Sequence, residues 1–333
     1  MIIIQTLLGG LTRLTGSGLS ITEWNVVTGV LPPLNAQDWA AEFAKYKASP
    51  QFQYLNADFT LSDFKYIFFW EWFHRLWARL IGFVFAIPFL YFIVRKYFNK
   101  EMVMPLIVLF LLGALQGMVG WIMVASGLTG DAIYVKPTRL AIHFVLAMLL
   151  ACYVLWFALQ LLVSDTQTIV HRGLQRIYLV LFFVLLLQLI YGAFMAGHRA
   201  APAASTWPSI NGYWWPENMG TSQNDHPLLE NKITIHFIHR GLAYLLFVLT
   251  LIATWLAYTV KPASRAISRW RWQPAFWVSV QVLLGILTVL SSKKIVVNQW
   301  GLFQTLAQLH QLVAMFFLLS VTVQLYLFRG RKS

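Results

Sequence analysis

Apolar blocks long enough to cross a bilayer recur along the whole chain, and no other feature constrains its fold as strongly. A helix rising about 1.5 Å per residue needs about 20 apolar residues to cross a hydrocarbon core about 30 Å thick. Blocks of this kind occupy residues 1–12, 67–94, 103–126, 138–163, 174–197, 232–260, 272–291 and 300–328. Strands cannot satisfy their backbone groups in lipid unless they close into a barrel, so the blocks read as helices. The first, with twelve residues, covers only about 18 Å and is expected to be a truncated span. Composition agrees, since 11% of residues are charged against about 25% in soluble domains. The expected fold class is an all-α polytopic membrane protein with eight transmembrane helices.

The formal net charge of +13 would point to nucleic acid in a soluble protein, but its distribution is topological. One alternate set of connections holds Arg95, Lys96, Lys100, Arg172, Arg176, Lys261, Arg265, Arg269, Arg271, Arg329, Arg331 and Lys332 against only Glu101 and Asp165. Lys and Arg collect on the cytoplasmic side. Both termini are therefore placed in the cytoplasm and the two long loops, 13–66 and 198–231, outside, with no nucleic-acid partner. The one cysteine, Cys152, lies inside an apolar block, which excludes an intrachain disulfide or a cysteine-built metal cluster. No cleavable signal or transit peptide is visible at the start.

The chain also matches itself. At an offset of 183, Gly9, Trp24, Gly29, Pro33 and Asn35 recur as Gly192, Trp207, Gly212, Pro216 and Asn218. At an offset of 165, His74, Arg75, Ala78 and Leu80 recur as His239, Arg240, Ala243 and Leu245, and Gln116, Gly120 and Ser126 as Gln281, Gly285 and Ser291. At an offset of 167, Thr138, His143, Ala147 and Met148 recur as Thr305, His310, Ala314 and Met315. The matches are collinear and each half starts and ends on the same side, so the expectation is two pseudo-symmetric parallel four-helix bundles, 1–163 and 174–328.

Four of the eight histidines fall on repeat positions, His74 and His143 in the first half and His239 and His310 in the second. Counted from the outer end of each block they sit about 8 to 15 Å deep. Paired imidazoles at one level on different helices suit a six-coordinate haem, whose iron takes a nitrogen from each side of a flat macrocycle. Zinc fits less well, because two separate pairs leave tetrahedral shells incomplete. The core-histidine alternative is hard to sustain for four matched positions inside a membrane. Arg75 and Arg240 follow the first histidine of each pair and suit haem propionates, with snorkelling to headgroups as the plain alternative. Glu71 shares a helix face with His74; its repeat counterpart is His236, which reads either as a ligand or as a supporting group. That asymmetry assigns chemistry to the first half and a fixed cofactor to the second, against the simpler reading that Glu71 pairs with Arg75 or Arg79.

Gly9 to Thr15 (GGLTRLT), Ser17 to Trp24 (SGLSITEW), Glu71 to Leu76 (EWFHRL), Thr206-Trp207-Pro208, Phe237 to Arg240 (FIHR), Gln281 to Thr288 (QVLLGILT) and Leu309-His310-Gln311 resemble the haem A synthase family over nearly the whole chain. The chain resembles the branch that lacks a cysteine pair in the first outer loop. The resemblance implies a bacterial inner-membrane oxidoreductase of cytochrome oxidase assembly that oxidises the C8 methyl of haem O to the formyl of haem A. It implies haem b on His239 and His310, the substrate haem at His74 and His143, and a catalytic Glu71. Haem O synthase and oxidase assembly factors are the implied partners, with the electron donor and self-association left open. The rival reading is a non-catalytic di-haem cytochrome b for electron transfer. A transporter using the parallel repeats explains the shared histidine depth less well.

Overall fold

The computed structural model describes residues 1–24, 28–217, 219–220, 226–261, 264–296 and 299–329; Asn218, Arg331 and Lys332 of the sequence patterns lie outside these. Apart from two isolated bridges, Val170 with Arg329 and Ile210 with Tyr213, the elements among the described residues are helices. They are α1 (Ile2–Leu14), α2 (Ala36–Lys47), α3 (Pro50–Leu55), α4 (Leu61–Val94), α5 (Lys100–Ala125), α6 (Pro137–Leu162), α7 (Arg172–Gly197), α8 (Pro227–Glu230), α9 (Lys232–Thr259), α10 (Arg265–Trp270), α11 (Gln273–Ser291) and α12 (Leu302–Leu327), with short 3₁₀ turns between. Among the described residues, seven segments are long and apolar enough to span a membrane: α4, α5, α6, α7, α9, Arg265–Lys294 containing α11, and α12. With the short apolar α1, they make this an all-helical membrane protein.

Local chemistry sets several boundaries. Asn35 accepts from Asp38 N–H at 2.9 Å and Ser49 from Phe52 N–H at 3.3 Å, capping α2 and α3 within the first long connection. Thr60 and Asp63 form a reciprocal capping box, so α4 starts at Leu61, ahead of the apolar block that marks it in the sequence. Asn231 caps α9 through Thr234 N–H at 2.9 Å. Pro88 and Pro105 lie inside α4 and α5, tolerated where a helix sits among apolar surroundings.

The chain divides into two compact units. The first comprises residues 1–143 with 296–300; the second, residues 144–295 with 301–333. In the first, α1 and α2 pack on α4, and α4 on α5. Its buried cluster is the aromatic residues Phe43, Tyr46, Phe64 and Phe68 with Ile67, at the long-loop end. Tyr46 is fully buried, its hydroxyl donating to Gln51 at 3.0 Å and accepting from Asn56 at 2.7 Å. Loss of hydration on burial pushes its pKa up to about 12.

In the second unit α7 packs on α9 and α12, and α11 on α12 and α9. Its core runs from Leu174, Tyr178 and Leu181 of α7 through Leu246 and Ala253 of α9 to Phe317, Leu318, Val321 and Tyr326 of α12. Half of the most apolar window of α12 is buried, whereas none of the window of α4 and 6% of that of α5 is. Cys152 is buried in this second core and accepts from the Thr322 hydroxyl.

Candidate haem-ligating site

The four repeat histidines lie on α4, α6, α9 and α12, the helices that descend from the longer connections. His143, His239 and His310 all fall in the second or third turn of their helices, which begin at Pro137, Lys232 and Leu302. His74 lies further into α4, which begins at Leu61, because the first two turns of that helix belong to the aromatic cluster around Phe64 rather than to the bundle.

In the second unit the His239 and His310 rings face each other with centroids 6.4 Å apart and planes 72° apart. Two metal–imidazole bonds of about 2 Å, plus about 1 Å from each nitrogen to its ring centre, give a separation of about 6 Å. The pair therefore fits one iron between two rings. His310 Nδ1 lies 3.1 Å from the Gln281 carbonyl and its Nε2 3.2 Å from the Gln281 amide nitrogen, contacts that together suit the Nδ1–H tautomer. His239 Nδ1 is buried without a hydrogen-bond partner. Among the described residues no group of three His, Cys, Asp or Glu side chains gathers for a metal ion.

In the first unit His74 and His143 are electrostatic neighbours. Gln116 Nε2 lies 3.2 Å from His143 Nδ1 and 3.4 Å from Nε2, and bonds the His143 carbonyl at 3.1 Å. Gln5 Nε2 reaches the His74 carbonyl at 3.4 Å.

Glu71, 2% exposed, is held by three donors. Ser20 Oγ and Ile21 N–H donate to Oε2 at 2.8 and 2.9 Å, and Arg75 Nη2 donates to Oε1. Arg75 also donates to the carbonyls of Ile21 and Glu23 at 3.3 Å and lies over the Trp24 ring, 4.9 Å from its centre. It lines a cavity of about 200 Å³ with Thr22, Glu23, Trp24 and Trp121. The counterpart corner in the second unit is built alike. His236, fully buried, has Nε2 2.8 Å from the Ala200 carbonyl and Nδ1 3.3 Å from Arg240 Nη2. Arg240 donates to the carbonyls of Ala204, Thr206 and Ser209 at 2.7, 2.9 and 3.3 Å. Both ring nitrogens of His236 are thus engaged away from the His239–His310 gap.

The fold gathers Glu71, His74, Arg75 and His143 in the first unit and His239, Arg240 and His310 in the second, with Glu71 in contact with Arg75. Sequence reading misses Gln5 and Gln188, although they match at the offset of 183; Gln188 Nε2 lies 3.5 Å from His239 Nε2. It also misses that Glu71 and Arg75 clasp the segment after α1.

The class that the fold and site define is an all-helical membrane protein with buried imidazoles on neighbouring helices. The comparisons with known proteins narrow that class: the family model described as cytochrome oxidase assembly protein (COX15-CtaA) matches residues 1–322, and the chain belongs to this family. Heme A synthase of Flavobacterium psychrophilum is 38% identical over 98% of this chain and 95% of its own length. That of Bradyrhizobium diazoefficiens is 40% identical over 100% and 90%, and that of Parvibaculum lavamentivorans 41% over 87% and 83%.

Proposed function

We propose that this chain is a haem A synthase, an oxidoreductase of cytochrome oxidase assembly, which oxidises the C8 methyl of haem O to a formyl group. The observation that carries this reading is the asymmetry between two otherwise equivalent sites: only the first has a buried carboxylate, Glu71, one helical turn from its histidine. Residues 1–163 form the substrate half and 174–328 the cofactor half, as parallel repeats of four helices with α1 as the eighth span. Both termini face the cytoplasm and the histidine pairs lie towards the outer face of a bacterial inner membrane, an orientation that the basic residues of the short connections support.

His74 and His143 would hold the substrate haem O. Arg75 lines the cavity beside Trp24 and Trp121, which accommodates a propionate arm, and Arg240 is its counterpart in the second half. The weak burial of α4 and α5 leaves a lipid-facing route for a substrate with an apolar tail. Converting a methyl group to a formyl group with one oxygen at the oxidation level of water releases four protons and four electrons. Successive hydroxylation to a geminal diol, followed by loss of water, satisfies that balance, with an external electron acceptor taking the four electrons. Glu71, fixed by Ser20, Ile21 and Arg75, offers negative potential to positive charge developing on the substrate, an effect worth about 3 kcal/mol in a dry site. His239 and His310 would hold haem b, which would supply one-electron transfer when bound.

The test is to express the chain together with a haem O synthase and separate the extracted haems by chromatography. Haem A appears with the intact protein and fails to appear with His74→Ala or His143→Ala. Two stable haems b with no new haem species would establish the di-haem cytochrome instead.

A further inference from the structure

One sequence element faces all four histidines. Gln5 and Gly9 on α1, Gln116 and Gly120 on α5, Gln188 and Gly192 on α7, and Gln281 and Gly285 on α11 each form Gln-x-x-x-Gly, placing both residues on one helix face a turn apart. A Cβ built at Gly120 would lie 2.8 Å from His143 Cε1, and one at Gly285 would lie 3.0 Å from His310 Cε1. At Gly9 and Gly192 the nearest atoms are His74 Nε2 and His239 Cε1, both at 3.4 Å.

Glycines in membrane helices commonly let two backbones approach. Here the nearest atoms to the four built Cβ positions all belong to the facing imidazole, whereas Gly82, Gly113, Gly117 and Gly241 meet nothing within 4 Å. The glutamines repeat the pattern. Three place the amide nitrogen within 3.5 Å of a ring nitrogen of the same histidine, and the fourth bonds the carbonyl of His74. In all four, Oε1 is buried and unpartnered. At His239 a carboxamide turned by half a revolution presents that oxygen to an Nε2–H and leaves Nδ1 open, the outer-shell contact that fixes the tautomer and orientation of a ligating imidazole; at His310 the Gln281 carbonyl lies against Nδ1 and the amide nitrogen against Nε2.

We propose that Gln-x-x-x-Gly is a repeated imidazole seat: Gly120 and Gly285 clear the backbone so the ring can lie against it, Gly9 and Gly192 sit in ordinary contact with it, and the glutamines at His143, His239 and His310 hold the ring's rotation. These are positioning residues, and the chain is thus four copies of one helix pair, each supplying one ligand, nested within the twofold repeat. The proposal rests on the reading of His239 and His310 as haem ligands.

The experiment uses the purified full-length protein with its haem, measuring haem per polypeptide and the low-spin electron paramagnetic resonance signal, whose anisotropy reports the angle between axial imidazole planes. Gly285→Ala is expected to lower haem content or low-spin fraction by about tenfold. Gly117→Ala, in open space, leaves both unchanged. Gln281→Leu keeps the haem but shifts the anisotropy. If Gly285→Ala does not accumulate, the Gln281→Leu signal decides. Wild-type content and signal in Gly285→Ala, or an unshifted signal in Gln281→Leu, overturns the seat. An unchanged spectrum in His310→Ala would instead overturn the ligand reading beneath it.

Discussion

The corner around Glu71 and the corner around His236 perform the same structural task with different chemistry. Arg75 gathers the carbonyls of Ile21 and Glu23, and its repeat counterpart Arg240 gathers those of Ala204 and Thr206, which match Ile21 and Glu23 in the repeat register of α1 and α7. Each arginine is steadied by the residue one helical turn before it, a carboxylate in one case and an imidazole in the other. Pinning the connection after α1 or α7 therefore needs no carboxylate, since His236 manages it through its ring nitrogens. A buried carboxylate is costly to desolvate, so its presence in one corner alone argues for a use beyond holding the loop. The wider setting differs in the same sense, with α12 well buried and α4 scarcely so: a closed bundle suits a resident group and an open one suits exchange.

The comparison breaks most sharply if the two histidine pairs are interchangeable. His239→Ala is expected to abolish haem b binding, read as pyridine haemochrome per polypeptide, because one axial nitrogen goes and the other sits buried and unpaired. Next in size, Glu71→Ala should cut haem A formation by about 100-fold or more, a barrier increase of about 3 kcal/mol, with haem b retained. It also removes the charged partner of Arg75, which keeps its bonds to the Ile21 and Glu23 carbonyls, so a stability loss of about 2 kcal/mol accompanies it, seen as a lower denaturation midpoint. His236→Gln should leave conversion within about threefold of wild type if that corner only pins a loop, a change of under about 1 kcal/mol; haem A yield reads it.

A smaller effect is expected at Tyr46. Removing its hydroxyl in Tyr46→Phe costs about 1 kcal/mol or slightly more, because Gln51 and Asn56 lose a buried partner. Burial raises the folded-state pKa to about 12 from an ordinary value of about 10, so the folded state binds the proton more tightly. Its stabilising contribution is full below about pH 10 and is lost as pH rises towards about 12; the alkaline limb of a melting profile should therefore be shallower in Tyr46→Phe. The smallest is at His198, after α7, whose Nε2 lies 2.7 Å from the Leu229 carbonyl. Burial lowers its pKa, partly opposed by that bond. Its contribution is present above about pH 6.5 and fades as pH falls, so His198→Gln should flatten the acid limb slightly.

Much of the molecule is legible in its residues. The spans emerge closely from the sequence because hydropathy in membrane helices is nearly independent of tertiary context. The histidines emerge because polar groups are conspicuous against an apolar background. The cap over the first unit does not: α2 and α3 are short and amphipathic, their only local marks being Asn35, Ser49 and the Thr60–Asp63 box, and their stability comes from packing on α4. The roles of Ser20 and Ile21 as partners of Glu71 are also hidden, since a serine hydroxyl and a backbone N–H carry no pattern. The Gln-x-x-x-Gly element is visible in the sequence, but its four copies align within each half as well as between halves, and matching one half against the other does not bring that inner repeat out.

The division of labour between the two pairs is tested most directly by one measurement: the haems extracted from purified His74→Ala and His310→Ala proteins, each produced with a haem O synthase. His74→Ala should contain haem b and no haem A, and His310→Ala should have lost haem b. Loss of haem b from His74→Ala with its retention in His310→Ala would show that the roles assigned to the two halves are reversed.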